Sequence, residues 1–346
     1  MKSSVATVVA EILWRIPGRF RVARLLGSSY SLRCLVFHDV SPRRSPFTSG
    51  INVTTTPEEF EATLGFIKKY YSPVSLQEVL TNSNDGKLPS DALLLTFDDA
   101  YASVSEFAAP LCKQLGIPAV FFVNAAFVDN RRLAPDNLIC YVTDLYGMER
   151  INAAARSVFA EKAKTWQSLS EVFGVFLPSL SMAERESFLK ALREQAGIEE
   201  ENLASESKLY ITSDQLRSLS LQGIEIGNHT YTHTHCRKLT GKDLASEING
   251  NKSELEAMSG ERVRAFSVPY GAAKDMTPEL AKVLRESGHQ AVFLSESVAN
   301  PRKPDLFRLD RISSHAEGND ALFVEIELMP RLRAIRNRYF HNVARA

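Results

Sequence analysis

Six short apolar runs punctuate the chain: Arg33 to Phe37, Ala92 to Phe97, Ala119 to Asn124, Ile224 to Gly227, Ala265 to Val268 and Gln290 to Leu294. Runs this short and this continuously apolar predict strands buried on both faces. Helix signals fall between most of them. Thr56 and Glu59 form a capping box with Pro57 at the first helical position, opening a helix that buries Phe60, Leu64 and Ile67. Ser75 with Glu78 and Thr212 with Gln215 repeat the device, and Gly223 can end the latter helix in a left-handed conformation. Asp243 to Met258 sets Leu244, Ile248, Leu255 and Met258 on one face, and Thr277 with Pro278 starts a helix that stops at Gly288. This alternation predicts an α/β fold with a mainly parallel sheet.

Between Asn130 and Ser207 the strand signals cease, and Ala153 to Phe173 and Met182 to Gln195 read as amphipathic helices. A helical insertion at about residues 130–207 of one large domain, residues 31–320, follows. Residues 1–30 form a basic amphipathic N-terminal segment, with Arg15, Arg19, Arg21 and Arg24 among apolar positions. Glu11 interrupts its apolar stretch and no small-residue cleavage site follows, so it does not read as a secretory signal, nor is it long enough to span a bilayer. Packing on the main domain is the first reading and contact with an anionic membrane surface the second. Residues 321–346 form a basic tail, five of whose arginines lie beyond position 330 and read as a solvated face.

Composition narrows the partners. Forty-one basic residues balance forty-one acidic ones among 346, so the chain has no net field with which to hold a nucleic-acid backbone. Cys34, Cys112, Cys140 and Cys236 are scattered without a C-x-x-C pair, which argues against a disulfide framework and a thiolate zinc site.

Three constellations carry candidate chemistry. Asp98 and Asp99 end the second apolar run, where a parallel strand delivers side chains to the carboxyl edge of the sheet. Taken alone, the pair reads as helix N-terminal acids favoured by the macrodipole. If buried, adjacent carboxylates need a cation or a shared proton between them. His229 and His233 follow the fourth run at i and i+4, a spacing that in a helical turn sends both imidazoles to one side. Two histidines and a carboxylate leave coordination positions open, as a catalytic metal site requires. His235 is offset by two residues and is expected in a second layer or at the surface. Ser267-Val268-Pro269-Tyr270-Gly271 runs from a strand into a proline-led turn, where Gly271 permits close backbone approach and the Tyr270 amide can donate to an oxyanion.

Together these residues resemble the polysaccharide deacetylase family, the carbohydrate esterases that share the NodB homology domain. The resemblance runs from Leu35-Val36-Phe37-His38 to about His315. It includes the stretch Phe60 to Leu80 and Gly116-Ile117-Pro118-Ala119 ahead of a Phe-Phe strand. It implies a distorted (β/α) barrel with fewer strands than the eightfold barrel. It also implies Asp98 as general base and Asp99, His229 and His233 as ligands of a divalent metal, zinc first and cobalt or another divalent ion next. Tyr270 would stabilise the oxyanion, and His315 would protonate the leaving group. His38, Pro269 and Gly271 would line the substrate site. The family often carries arginine at the position of Ser267 to tether the base, and Arg308 or Arg311 can substitute only if the fold brings one of them near. Ala100 stands where glycine is common.

The resemblance implies a hydrolase acting on an acetylated carbohydrate, an N-acetylhexosamine in a polysaccharide or glycan precursor. An amidase on a non-sugar or cyclic amide, and an inactive carbohydrate-binding protein of the same fold, are the competing readings. The expected location is cytoplasmic, with the basic ends available for peripheral membrane contact.

Overall fold

The computed structural model describes residues 12–25, 30–83, 85–160, 164–314 and 316–343. All six apolar runs form strands, and a seventh appears where the apolar pattern did not mark one. They are β1 (Tyr30–Phe37), β2 (Ala92–Phe97), β3 (Ala119–Val123), β4 (Glu225–Asn228), β5 (Ala265–Ser267), β6 (Ala291–Leu294) and β7 (Leu309–Ser313). Each pairs parallel with the next, and β1 pairs with both β2 and β7, so seven strands close into a barrel in chain order. The barrel is distorted where strands are short: β4 meets β5 through the single pair Asn228 and Phe266.

Strand alternation divides the core. Cys34, Leu94, Phe122 and Phe293 join one cluster that Leu76 and Val79 of the helix Leu76–Asn82 help to fill. Leu35, Leu95, Phe97 and Phe121 point the other way, into the largest cluster, which the helices cover. The capping boxes at Thr56, Ser75 and Thr212 are present as hydrogen-bonded pairs. The long helical stretch after β4 contains a π-helical turn at Ser246–Gly250, immediately ahead of the buried Asn251.

Between β3 and β4 the chain is helical, with helices at Pro135–Tyr146, Met148–Phe159, Met182–Ala196 and Glu200–Ser207. The stretch expected as one helix from Ala153 to Phe173 is interrupted at Ala160, whose φ is 46°. Phe176 and Phe188 meet edge to face within this insertion.

Near the N-terminus, Trp14 and Phe20 enter an aromatic cluster with Phe66, Tyr70 and Phe323, so the described part of this segment packs on the barrel's helices. Ile12, Ile16, Val22 and Leu25 remain exposed. Residues 1–11 of the expected membrane-contacting segment lie outside the described residues. The solvated-face expectation for the tail fails at Arg331, which is buried because it pairs at 3.0 Å with Glu327, itself bound to Arg33 of β1 at 2.8 Å. No helix among the described residues is long and apolar enough to cross a membrane.

Candidate active site

All seven barrel strands deliver side chains to one cavity of about 360 Å³. His38 follows β1, Asp98 follows β2, Asn124 follows β3, His229 follows β4, Tyr270 lies just past β5, Ser295 follows β6, and Arg311 comes from β7 itself. This is the carboxyl edge, where the barrel's loops are free to vary without disturbing the core.

The exit from β2 separates the two acids. Asp99 and Ala100 adopt φ of 74° and 60°, left-handed conformations that cost an L-residue about 1–2 kcal/mol each. Ile211 N–H donates to the Ala100 carbonyl at 2.9 Å and helps hold this turn. The left-handed position explains why glycine suits the place of Ala100. Asp98 then meets Arg311, whose two terminal nitrogens donate to its two oxygens at 2.7 Å each, while Ser267 Oγ adds a bond at 3.3 Å. The arginine that the resemblance places at Ser267 is thus supplied from β7, and Arg308 is exposed elsewhere. Burial pushes the Asp98 carboxyl up, but the Arg311 charge, then the His229 charge and the Arg311 hydrogen bonds, together with His38, more than reverse this, leaving it below the ordinary carboxylate range.

His229 and His233 converge, though not through a helical turn. Residues 229–235 form a loop in which Thr230 and His233 have φ of 62° and 50°. Side chains hold this loop in place of a helical ladder: Asn124 donates to the carbonyls of His229 and Thr230, Asn228 accepts from Thr230 N–H, and Glu247 accepts from Thr232. Asn228 is fixed in turn by Asn251 at 2.7 Å.

Hydrogen bonding determines which imidazole nitrogen faces the cavity. His229 Nδ1 lies 2.8 Å from the Ser267 carbonyl, and His233 Nδ1 lies 2.8 Å from Asp136 Oδ2. Each partner only accepts, so both Nδ1 atoms donate, and a neutral ring then carries its lone pair on Nε2. Those Nε2 atoms sit 3.3 and 3.4 Å from Asp99 Oδ1, a buried oxygen with no hydrogen bond of its own. Three electron-rich atoms all within 4.8 Å of one another fit a divalent cation. The local field makes the same demand. Burial pushes the His233 imidazolium down, but the Asp99 and Asp136 carboxylates raise it to about 9.

The third constellation is a turn closed by Gly271 N–H donating to the Val268 carbonyl at 2.9 Å. Tyr270 takes the position where type II turns favour glycine, with φ of 61°. Gly271 is required, because a Cβ there would lie 2.4 Å from Ser295 Cβ and 2.7 Å from its backbone nitrogen. Pro269 is buried and does not line the cavity, contrary to its expected role, since it forms the corner of the turn instead. His235 is not at the surface: its ring stacks on Tyr270 at 3.8 Å, behind the cavity wall. His38 lines the cavity, and burial holds its imidazolium below the ordinary value. His315 lies outside the described residues.

Sequence reasoning missed Asp136. It follows Pro135 at a helix start and reads there as an acid complementing the helix dipole, so no local pattern marks it.

The polysaccharide deacetylase family profile matches residues 85–292, more than half of the chain. The chain belongs to the polysaccharide deacetylase family. Among curated relatives, YxkH of Bacillus subtilis (strain 168) is 26% identical over 105 residues, a match covering 30% of this chain and 37% of YxkH. The structure resembles that of the Streptococcus pyogenes deacetylase PplD, with TM-score 0.55, 15% identity and coverage of 86% of this chain and 98% of PplD. IcaB from Ammonifex degensii gives TM-score 0.53 and 19% identity, covering 86% and 97%. At these identities the likeness to the solved structures establishes the deacetylase fold.

Proposed function

We propose that this chain is a divalent-metal-dependent hydrolase that removes acetyl groups from a carbohydrate, an N-acetylhexosamine unit of a polysaccharide or glycan precursor. The observation that carries the proposal is the convergence of Asp99 Oδ1 with the Nε2 atoms of His229 and His233, beside the separately anchored Asp98. A bound ion, zinc first and cobalt second, supplies Lewis acidity that polarises the acetyl carbonyl and lowers the pKa of water from ~15.7 towards ~7. Asp98 accepts the proton of the attacking water. Arg311 keeps that carboxylate ionised and aimed. The Tyr270 main-chain N–H donates to the oxygen that becomes negative as the carbonyl turns tetrahedral. A histidine returns a proton to the departing amine or alcohol. His38 supports this role by its place in the cavity and His315 by its place in the sequence, and substituting each separates them.

Four buried, unpaired cysteines support a reducing compartment such as the cytoplasm. Exposed Ile12, Ile16, Val22 and Leu25 beside Arg15 and Arg21 support peripheral contact with an anionic bilayer, which co-sedimentation with anionic vesicles tests.

The decisive experiment measures acetate release from N-acetylglucosamine oligomers by metal-stripped protein, by protein reloaded with zinc or cobalt, and by Asp98→Asn. Metal-dependent release lost in the variant is the expected result. No release across a broad panel of acetylated sugars by loaded wild-type protein overturns the proposal.

A further inference from the structure

The carboxylate of Asp136 bridges the loop that follows β4 and the turn that follows β5. It sits in the first turn of the helix Pro135–Tyr146, in the insertion rather than on a barrel strand. Its Oδ2 accepts from His233 Nδ1 at 2.8 Å, and the Tyr270 hydroxyl donates to its two oxygens at 2.9 and 3.0 Å. One side chain therefore ties a candidate metal ligand to the turn that presents the candidate oxyanion donor.

Both residues it holds have left-handed backbones, with φ of 50° at His233 and 61° at Tyr270. Neither conformation is favoured for an L-residue, so each persists because its surroundings impose it. The insertion grips the same loop a second time. Arg185, on the helix Met182–Ala196, donates to Thr232 Oγ1 at 2.8 Å, to the Thr232 carbonyl at 3.2 Å and to the His233 carbonyl at 3.3 Å. Arg185 fixes the backbone, whereas Asp136 fixes the ring.

A carboxylate behind a metal-binding imidazole does two things. It selects the tautomer that leaves Nε2 free, and its charge makes that nitrogen a stronger electron-pair donor. His229 receives only the first service, from a neutral main-chain carbonyl, so the two imidazoles are supported unequally. We infer that Asp136 is a positioning residue of the metal site, through which the helical insertion sets the orientation of His233 and couples it to the Tyr270 turn. Asp136 acts here through His233 and Tyr270. The inference rests on the metal-dependent reading above.

The test uses the full chain as wild type, Asp136→Ala and Asp136→Asn. Zinc affinity of the metal-stripped proteins is measured by calorimetric titration, and the visible absorption spectrum is recorded at saturating cobalt. Asp136→Ala is expected to bind zinc about 10–100-fold more weakly and to change the cobalt spectrum. Asp136→Asn, close in shape but uncharged, is expected to fall between the two and decides the matter if the alanine variant does not fold. A dissociation constant and cobalt spectrum equal to wild type in the folded variants overturn the role of Asp136 and leave the metal reading standing. Wild-type protein that binds neither ion overturns the metal reading and this inference with it.

Discussion

Arg311 reaches from the last barrel strand to Asp98 at the end of the second, 213 residues away, and meets both carboxylate oxygens at 2.7 Å. Its Nε is also spent, on the Leu294 carbonyl at 3.1 Å, so the guanidinium is fixed in its plane. Lysine has the charge but not the fork. Arg311→Lys should therefore leave zinc affinity unchanged while lowering kcat by about 10²-fold, the scale of a catalytic group displaced by roughly 1 Å. Wild-type turnover in this variant would remove Arg311 from the mechanism.

Metal should stabilise the folded chain through Asp99, His229 and His233. A ligand at 100 times its Kd adds about 2.7 kcal/mol. Zinc is expected to raise the melting temperature by several degrees and a chelator to reverse the gain, with both responses absent in Asp99→Ala and His229→Ala. A zinc-induced shift that survives in both variants would place the ion elsewhere.

Much of this arrangement was legible because its signals are local. Thr56 and Glu59 lie three positions apart and form the pair that their chemistry predicts. Strand β7 was not legible, since Leu309-Asp310-Arg311-Ile312-Ser313 carries two charged residues, and the burial of Arg311 makes sense only beside Asp98. The spacing of His229 and His233 was readable but its geometry was not. The left-handed turns at Thr230 and His233 are imposed by Asn124, Glu247 and Arg185, each from a different part of the chain. Asp136 lacked any signal for the same reason: its two partners come from loops that only the closed barrel brings together.

Away from the site, Glu327 is shared by a buried pair of arginines. It contacts Arg33 at 2.8 Å and Arg331 at 3.0 Å, and accepts from the Tyr71 hydroxyl at 3.1 Å. Removing the carboxylate leaves two buried guanidinium groups without the anion they share. Glu327→Gln should lower unfolding free energy by about 3–5 kcal/mol in urea titrations. A loss below about 1 kcal/mol, the scale of a surface pair, would mean that water reaches the group.

Asp310 gives stability a defined pH dependence. Burial raises its carboxyl from the ordinary 3.8 to about 6, Glu296 adds to the rise and Arg308 opposes it. The folded state therefore holds this proton more tightly than the unfolded chain does. Its contribution is fully present below pH 3.8 and is lost as pH rises through about 6. At higher pH the ionised group destabilises the fold by an amount on the order of 2 kcal/mol, allowing for its partial exposure. Asp310→Asn should exceed wild type in urea midpoint at pH 8 and approach it at pH 4; equal midpoints at pH 8 would contradict this assignment.

The barrel closes in chain order, and this sets a timetable for the newborn protein. A ribosome releases Asp98 long before Arg311, so a growing chain carries this carboxylate through most of synthesis without the guanidinium that meets it in the barrel. Until β7 has emerged and docked between β6 and β1, the ring has a gap and Asp98 has no anchor. A chain terminated ahead of Leu309 would keep all three candidate metal ligands yet lack both the closing strand and the guanidinium that holds Asp98.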